Sequence, residues 1–478
     1  MKVLYAASEA LPFKSSGGLA EVAGSLPKAL RRRLVGARVV MPLYDSIPQE
    51  LRESMTFLTH IVVPVAWRRQ YCGVFEARVG GVIYYLLDNQ YYFKRGFRLY
   101  GHFDDAERFT FFSRAVLEIL PHLDGWRPDI LHCNDWQTAL IPVYQMVFYG
   151  KEPFYQGIKT VFTIHNIEYQ GQYGMDLLGD VFGLDAEHKS LVEHDGCVNL
   201  MKGGIECADA VTTVSPSYAE EILTPWYAHG LDTILRERDF KLEGILNGID
   251  TESYDPAADP ALAAPFSAED LGGKAACKAA LQALFGLEQS PRAPLMGVVS
   301  RLAGHKGIDL LKAKLDELLA GSGAQLVVLG TGEAQYETFF RELAGRFPGR
   351  VGVMIDYNPA VSRQIYAGCD LFLMPSKSEP CGLSQMIALR YGAIPVARET
   401  GGLKDSIQDS GLGGGNGFTF LCYDADELLH ALRRALQGYA DAEGWQVLVR
   451  RAMACDFGWG KSAGAYIKLY KGLLHANG

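Results

Sequence analysis

The sequence has no excess of positive charge. Its 46 Lys and Arg stand against 55 Asp and Glu, for a net charge of −9. A nucleic-acid binder needs a basic footprint, so that class is set aside, while a neutral polymer stays open as a partner. The nine cysteines, Cys72, Cys133, Cys197, Cys207, Cys277, Cys369, Cys381, Cys422 and Cys455, form no C-x-x-C pair. Their odd number and scattered spacing fit reduced thiols in a cytosolic protein, and with no H-E-x-x-H either, no metal site is expected. No apolar run approaches the ~18–20 residues of a membrane helix. The opening stretch Met1–Ala10 is interrupted by Glu9 and is too short for a signal peptide, so a cytoplasmic location is expected. No G-x-G-x-x-G follows a strand with a ribose-binding acid downstream, which disfavours a dinucleotide oxidoreductase. No internal repeat or low-complexity tract is present.

What is present is core material. Of 478 residues, 48% are hydrophobic and 21% charged, enough for two domains of roughly 100–200 residues each. Short apolar runs alternate with longer helical patterns. Strands are expected at Val3–Ala6, Arg38–Met41, Ile83–Leu87, Asp129–Cys133, Thr160–Ile164, Ala210–Val214 and Glu243–Leu246, with a helix from Leu19 to about Leu34. The rhythm weakens over 250–292, where Pro, Ala and Asp cluster. It restarts at Leu295–Val299 and continues with Gln325–Leu329, Val351–Ile355, Leu371–Met374, Ile394–Val396 and Phe418–Leu421. Near-continuous apolar strands between helices imply parallel sheets covered on both faces. The expectation is two α/β domains, with ligands beyond the carboxyl ends of the strands in a cleft between the sheets. The stretch Gly411–Gly417 reads as a mobile loop before a strand.

Several motifs fall at strand ends. Lys14-Ser15-Ser16-Gly17-Gly18-Leu19 follows the first strand. Paired glycines allow close backbone approach, and the next helix offers N–H groups to an anion such as a diphosphate. The spacing alone also fits an ordinary turn. Ser300-Arg301-Leu302-Ala303-Gly304-His305-Lys306-Gly307 puts two cations five residues apart after a strand. Such groups can stabilise charge building on a departing nucleoside diphosphate, Arg with its planar fork and Lys as a point charge. The bland alternative is a solvated basic loop. In Pro375-Ser376-Lys377-Ser378-Glu379-Pro380-Cys381-Gly382-Leu383, a carboxylate sits in a turn between Pro and Gly. Glu379 can accept sugar hydroxyls or do acid–base work, or simply be solvated. Cys133-Asn134-Asp135-Trp136-Gln137, Thr163-Ile164-His165-Asn166 and Thr400-Gly401-Gly402-Leu403 complete the set. A lone His such as His165 is also a common structural hydrogen-bonder.

Together these strings closely resemble bacterial glycogen synthases and plant starch synthases over nearly the whole chain. The match includes Asp88-Asn89-Gln90-Tyr91-Tyr92-Phe93, Asp104-Asp105-Ala106-Glu107-Arg108-Phe109, Met201-Lys202-Gly203-Gly204-Ile205, Val211-Thr212-Thr213-Val214-Ser215-Pro216 and Ile245-Leu246-Asn247-Gly248-Ile249-Asp250. It also takes in Tyr391-Gly392 and Asp456-Phe457-Gly458-Trp459. The resemblance implies the α/β GT-B fold, two Rossmann-like domains facing across a cleft. It places an N-terminal domain at 1–248, completed by a C-terminal helix at 457–478, and a donor domain at 249–456. It implies a retaining transfer of glucose from ADP-glucose to the non-reducing end of an α-1,4-glucan such as glycogen. ADP-glucose is then a substrate, and no cofactor or metal is called for.

By the same resemblance Arg301 and Lys306 hold the diphosphate, and Glu379 holds the donor glucose as the usual catalytic carboxylate. His165 contacts the glucose, Asp135 a sugar hydroxyl, and Tyr357 the adenine. Asn247, Ser376, the Cys381, Gly382 and Leu383 turn, and the Thr400, Gly401 and Gly402 turn complete the donor site, with Lys14, Ser15, Gly17 and Gly18 opposite.

The chain departs from the family in two places. The family carries Lys-x-Gly-Gly-Leu, whose Lys position here is Ser15, with a lysine one residue earlier at Lys14. Either Lys14 substitutes, or the donor is held differently, or catalysis is weakened. Lys377-Ser378 stands where the family has Arg-Phe, keeping charge but losing Arg's bidentate geometry. The alternatives to an active ADP-glucose enzyme are therefore a weakened paralogue acting as a glucan-binding or priming partner, and a synthase with a different donor.

Overall fold

A computed structural model describes residues 1–475. The chain divides into two compact units, Met1–Gly248 with Trp459–Gly478, and Ile249–Gly458. In the first unit the strands are β1 (Lys2–Ala6), β2 (Gly36–Pro42), β3 (Thr56–Val65), β4 (Arg68–Val79), β5 (Val82–Asp88), β6 (Ile130–Asn134), β7 (Lys159–Ile164), β8 (Gln172–Tyr173), β9 (Glu193–His194), β10 (Cys197–Asn199), β11 (Ala210–Thr213) and β12 (Leu242–Gly244). Nine form one sheet in the order β12-β11-β7-β6-β1-β2-β5-β4-β3. From β12 to β5 neighbouring strands are parallel. The interiors of β1, β5, β6, β7 and β11 are buried, as the continuous apolar runs require for a sheet covered on both faces.

Two parts of this unit differ from expectation. The antiparallel ribbon β3–β4, which extends the sheet beyond β5, was not anticipated. Its sequence is interrupted by Arg68, Arg69 and Gln70 and alternates exposed with buried positions, the pattern of a sheet edge rather than a covered strand. The three-stranded β8-β10-β9 sheet is built from strands of two or three residues, too short to carry a period.

The helix Gly18–Arg32 buries Leu19, Ala20, Val22, Ala23, Leu26 and Leu30 along one face. The return helix Trp459–His475 packs against it and belongs to this unit. It starts at Trp459 rather than at 457. Ile249 donates its N–H to Phe457 O at 2.9 Å and bridges to Gly458, which ties those two residues to the second unit. Residues 476–478 of the expected helix lie outside the described residues. The return helix closes on the sheet through Tyr470, whose hydroxyl lies 2.6 Å from His132 Nδ1 on β6, while His132 Nε2 lies 2.6 Å from Thr163 Oγ1 on β7.

The second unit holds β13 (Leu295–Val299), β14 (Gln325–Leu329), β15 (Val351–Met354), β16 (Leu371–Met374), β17 (Ile394–Arg398) and β18 (Phe418–Phe420). They form one parallel sheet in the order β15-β14-β13-β16-β17-β18. In chain order this is 3-2-1-4-5-6, the Rossmann arrangement, with its topological switch point between β13 and β16. The parallel strands of the first unit repeat that order, with the switch between β1 and β6. The Gly411–Gly417 loop precedes β18 as expected. It is gathered by Asp409, which accepts from Gly411 N at 2.8 Å, from Thr419 N at 2.7 Å and from Arg434. Among the described residues no helix is long and apolar enough to cross a membrane.

Candidate active site

In the second unit the chemistry lies at the switch point. The loop after β13 carries Arg301 and Lys306, and the loop after β16 carries Glu379. Lys306 Nζ lies 2.9 Å from Oε1 and 2.7 Å from Oε2 of Glu379. Ser376 Oγ donates to Glu379 Oε2 at 3.0 Å. Glu379 is only 7% exposed, so its carboxylate is held by charge and hydrogen bonds rather than by water.

Backbone packing fixes these loops. Gly307, at φ +73°, lies so close to Pro375 O that a Cβ would sit 1.9 Å from it. Lys377 N donates to His305 O at 2.9 Å, joining the two loops directly. The Thr400-Gly401-Gly402 turn after β17 locks onto the same place. Gly402 N donates to Glu379 O at 3.1 Å. A Cβ on Gly401 would meet Glu379 O at 2.1 Å, and one on Gly402 would meet Cys381 O at 2.0 Å. Packing on the Glu379–Cys381 backbone alone requires glycine at both positions, whatever contact the turn makes with phosphate or sugar.

Gly382 takes φ +70°, and Gln385 donates to Cys381 O and Gly382 O at 2.9 Å each. Leu383 is partly buried and leads into the helix Ser384–Arg390. Ser376, Cys381 and Thr400 are buried. Arg301 is exposed, with Nη2 at 3.4 Å from His305 Nε2. Tyr357, just after β15, is 77% exposed and its ring is open to solvent.

The sequence reading missed one support of this loop set. Gly330-Thr331-Gly332-Glu333 follows β14 and clamps the loop after β13. Leu302 N donates to Thr331 O at 2.9 Å, and Gly304 N donates to Glu333 Oε1 at 2.9 Å. The signal was available, since this is one more glycine-bearing turn at the end of a parallel strand.

In the first unit Asp135 directly follows β6 with φ +57°, an uncommon conformation for a residue other than Gly and one that gathers at functional sites. Its Oδ1 accepts the His165 N–H at 2.7 Å. Burial pushes the Asp135 carboxyl up to about 7, partly offset by backbone N–H groups of His165 and Asn166, with the charge of Glu9 adding to the rise.

The tautomer of His165 follows from its neighbours. Asn134 Nδ2 donates to Ala6 O at 2.9 Å, so Asn134 Oδ1 faces Tyr5 OH and His165 Nε2, both at 2.8 Å. An amide oxygen only accepts, so Nε2 carries the proton and Nδ1 is left with a lone pair. Burial drives the His165 pKa down to about 3, which keeps the ring neutral at ordinary pH.

Along the first loop Lys14 pairs with Ala10 in a short bridge and its Nζ lies 5.7 Å from the centre of the Phe97 ring. Ser15 is partly buried, and Gly17 and Gly18 are exposed ahead of the helix Gly18–Arg32. Gly17 is extended, and a Cβ there would meet nothing within 4 Å. No clash within the protein therefore demands glycine at 17. Asn247 is 5% exposed, and its Oδ1 is buried with no hydrogen-bond partner. A buried amide oxygen of that kind calls for a donor.

Comparison with known proteins shows the family and the fold. Residues 2–237 match the family described as starch synthase catalytic domain, and residues 285–446 match glycosyl transferases group 1. The glycogen synthase of Geobacillus thermodenitrificans is 49% identical over 99% of this chain and 98% of its own. That of Desulforamulus reducens is 48% identical over 99% of both. Among solved structures, the catalytic domain of starch synthase IV from Arabidopsis thaliana, bound to ADP and acarbose, superposes with a TM-score of 0.93 at 38% identity, covering 99% of each chain. A likeness this complete carries the GT-B fold class with it. The chain belongs to the glycogen synthase and starch synthase family of glucosyltransferases.

Proposed function

We propose that this glucosyltransferase takes ADP-glucose as donor and an α-1,4-glucan of the glycogen type as acceptor, adding glucose at the non-reducing end with retention. The observation that carries the proposal is the Lys306–Glu379–Ser376 cluster at the switch point of a Rossmann-ordered sheet. The starch synthase IV structure, bound to ADP and acarbose, supports ADP as the leaving group. Arg301 and Lys306 take the charge that grows on the diphosphate, so metal neutralisation is not invoked. Glu379, oriented by Lys306 and Ser376, accepts donor-glucose hydroxyls. Tyr357 offers its open ring to the adenine, and Asn247 Oδ1, which belongs to the first unit, takes a hydroxyl. The Cys381–Leu383 and Thr400–Gly402 turns hold Glu379 in place.

On the other unit Asp135 keeps lone pairs free beyond those used by backbone N–H groups, and His165 Nδ1 is an acceptor for a sugar hydroxyl. The exposed backbone at Gly17 and Gly18, ahead of the helix Gly18–Arg32, suits the phosphate of a nucleotide sugar, with Lys14 and Ser15 beside it. The reaction is a front-side displacement. The bond from C1 to the phosphate oxygen breaks with its electron pair going to that oxygen. The acceptor O4 bonds to C1 on the same face, and its proton passes to the leaving phosphate. The protein contributes position and charge. A cytoplasmic location belongs to the same reading and is supported by nine cysteines with no disulfide among the described residues.

The test is the linkage made. Glycogen primer and ADP-glucose with a labelled C1 should give new α-1,4 linkages by NMR and one ADP per linkage. Free glucose instead of chain extension would contradict the assignment.

A further inference from the structure

One buried carboxylate is unused by this mechanism. Glu9, just beyond β1, is 3% exposed. Its Oε1 accepts Ser16 Oγ–H at 2.9 Å, and its Oε2 accepts the Ser16 backbone N–H. Ser16 is the residue between Ser15 and Gly17. The Glu9 side chain therefore closes the turn that runs through the cis Leu11–Pro12 peptide and the Ala10–Lys14 bridge.

The surroundings are built to keep the carboxylate there. Ser8 Oγ lies 2.8 Å from Tyr100 OH, and Tyr44 OH donates to Ser8 O at 2.7 Å. Tyr100 lies close to Glu9, and the charged groups facing it are Lys14 on its own loop and Asp135 after β6. Burial pushes the Glu9 carboxyl up to about 7 despite these partners. Holding a carboxylate in such a place is costly unless its hydrogen bonds do something for the fold or the site.

We propose that Glu9 is a positioning residue: by holding Ser16 at both its N–H and its hydroxyl, it sets the conformation in which Ser15, Gly17 and Gly18 meet the nucleotide sugar. The proposal rests on reading that loop as donor-contacting. Glu9 touches no reacting atom and acts through Ser16. In a chain with Ser15 at the family's lysine position, backbone geometry carries more of this loop's contribution, which makes the clamp matter more here.

The two oxygens have different partners, and that gives the test. Gln can still accept the Ser16 N–H through its oxygen and donate to Ser16 Oγ through its NH2 group. Ala can do neither. The full-length protein, Glu9→Ala, Glu9→Gln and Ser16→Ala are compared for kcat, for KM of ADP-glucose and of glycogen separately, and for Tm. Glu9→Ala should raise the ADP-glucose KM about tenfold, the scale of one charge-assisted hydrogen bond, while the glycogen KM stays within about twofold. Glu9→Gln should restore most of the loss, and Ser16→Ala should fall between.

Equal increases in both KM values, or an unchanged ADP-glucose KM in Glu9→Ala, would overturn the proposal. So would Glu9→Gln as impaired as Glu9→Ala at equal Tm, since charge rather than position would then be at work. Wild-type turnover with ADP-glucose in the same assay reads the underlying donor assignment separately, so its failure is distinguishable from failure of the Glu9 role.

Discussion

The Lys306 ammonium is shared between both oxygens of Glu379, at 2.9 and 2.7 Å, across loops that leave adjacent strands of one sheet. The pair sets the orientation of the carboxylate and at the same time keeps a cation at the place where phosphate charge develops. Lys306→Met should lower kcat by about 10²–10³, as for loss of one preorganised charge partner. It should also destabilise by about 1–3 kcal/mol, because Glu379 is left unpaired while mostly buried. Adding Glu379→Gln should recover stability and leave activity low. Denaturant unfolding alongside steady-state rates checks both halves.

Asp135 and Glu9 both titrate near 7 and feel each other's charge, so the pair gives macroscopic steps rather than separate ones. The ionised Asp135 carboxylate is the stronger acceptor for backbone N–H groups and a sugar hydroxyl together. Activity should therefore rise with pH through about 7. His165, neutral down to about 3, should add no inflection of its own. In Asp135→Asn the rate should be lower and the rise near 7 flattened. A kcat/KM profile from about pH 5.5 to 8.5 measures this.

His132 is fully buried, and burial lowers its pKa from 6.5 to about 3. The unfolded chain thus binds a proton that the folded chain refuses between those values. The stabilising contribution is present above pH 6.5 and is lost as pH falls toward about 3. His132→Gln removes that term, so its stability should fall less steeply in acid, by about 1.4 kcal/mol per pH unit. Urea unfolding at several values below pH 6.5 reads the slope. Parallel slopes for the two proteins would refute it.

Ser15→Lys should lower the ADP-glucose KM about tenfold by adding a cation beside the start of the helix Gly18–Arg32. In the wild type the neighbouring Lys14 ammonium lies over Phe97 rather than at residue 15. An unchanged KM would mean that the loop already satisfies the donor through Lys14 or its backbone.

Much of this was legible in the sequence because the informative residues sit at strand ends. Doubly covered parallel strands are apolar along their length, so Val3–Ala6, Leu295–Val299 and Leu371–Met374 were readable and the motif after each was placed by it. The ribbon β3–β4 was not legible, because an edge carries charged residues and loses the apolar run. The Lys306–Glu379 contact was also hidden, since it joins residues 73 apart and depends on Gly307 passing close to Pro375 O. Glu9 and Glu333 were missed for a related reason. They serve loops by holding backbone N–H groups, and no spacing rule marks a carboxylate whose partner is an amide. The Gly401–Gly402 pair was legible as special, but its packing on Glu379 O and Cys381 O was hidden, because it joins turns after different strands.

The proposed ADP-glucose-dependent transfer rests on the site built on Lys306 and Glu379. The most direct measurement is nucleoside diphosphate release with glycogen primer, using ADP-glucose and UDP-glucose side by side, for wild type and Glu379→Gln. Release should be faster from ADP-glucose, should depend on primer, and should fall by about 10²–10³ in the variant. Equal or faster use of UDP-glucose, or a Glu379→Gln rate matching wild type, would contradict it.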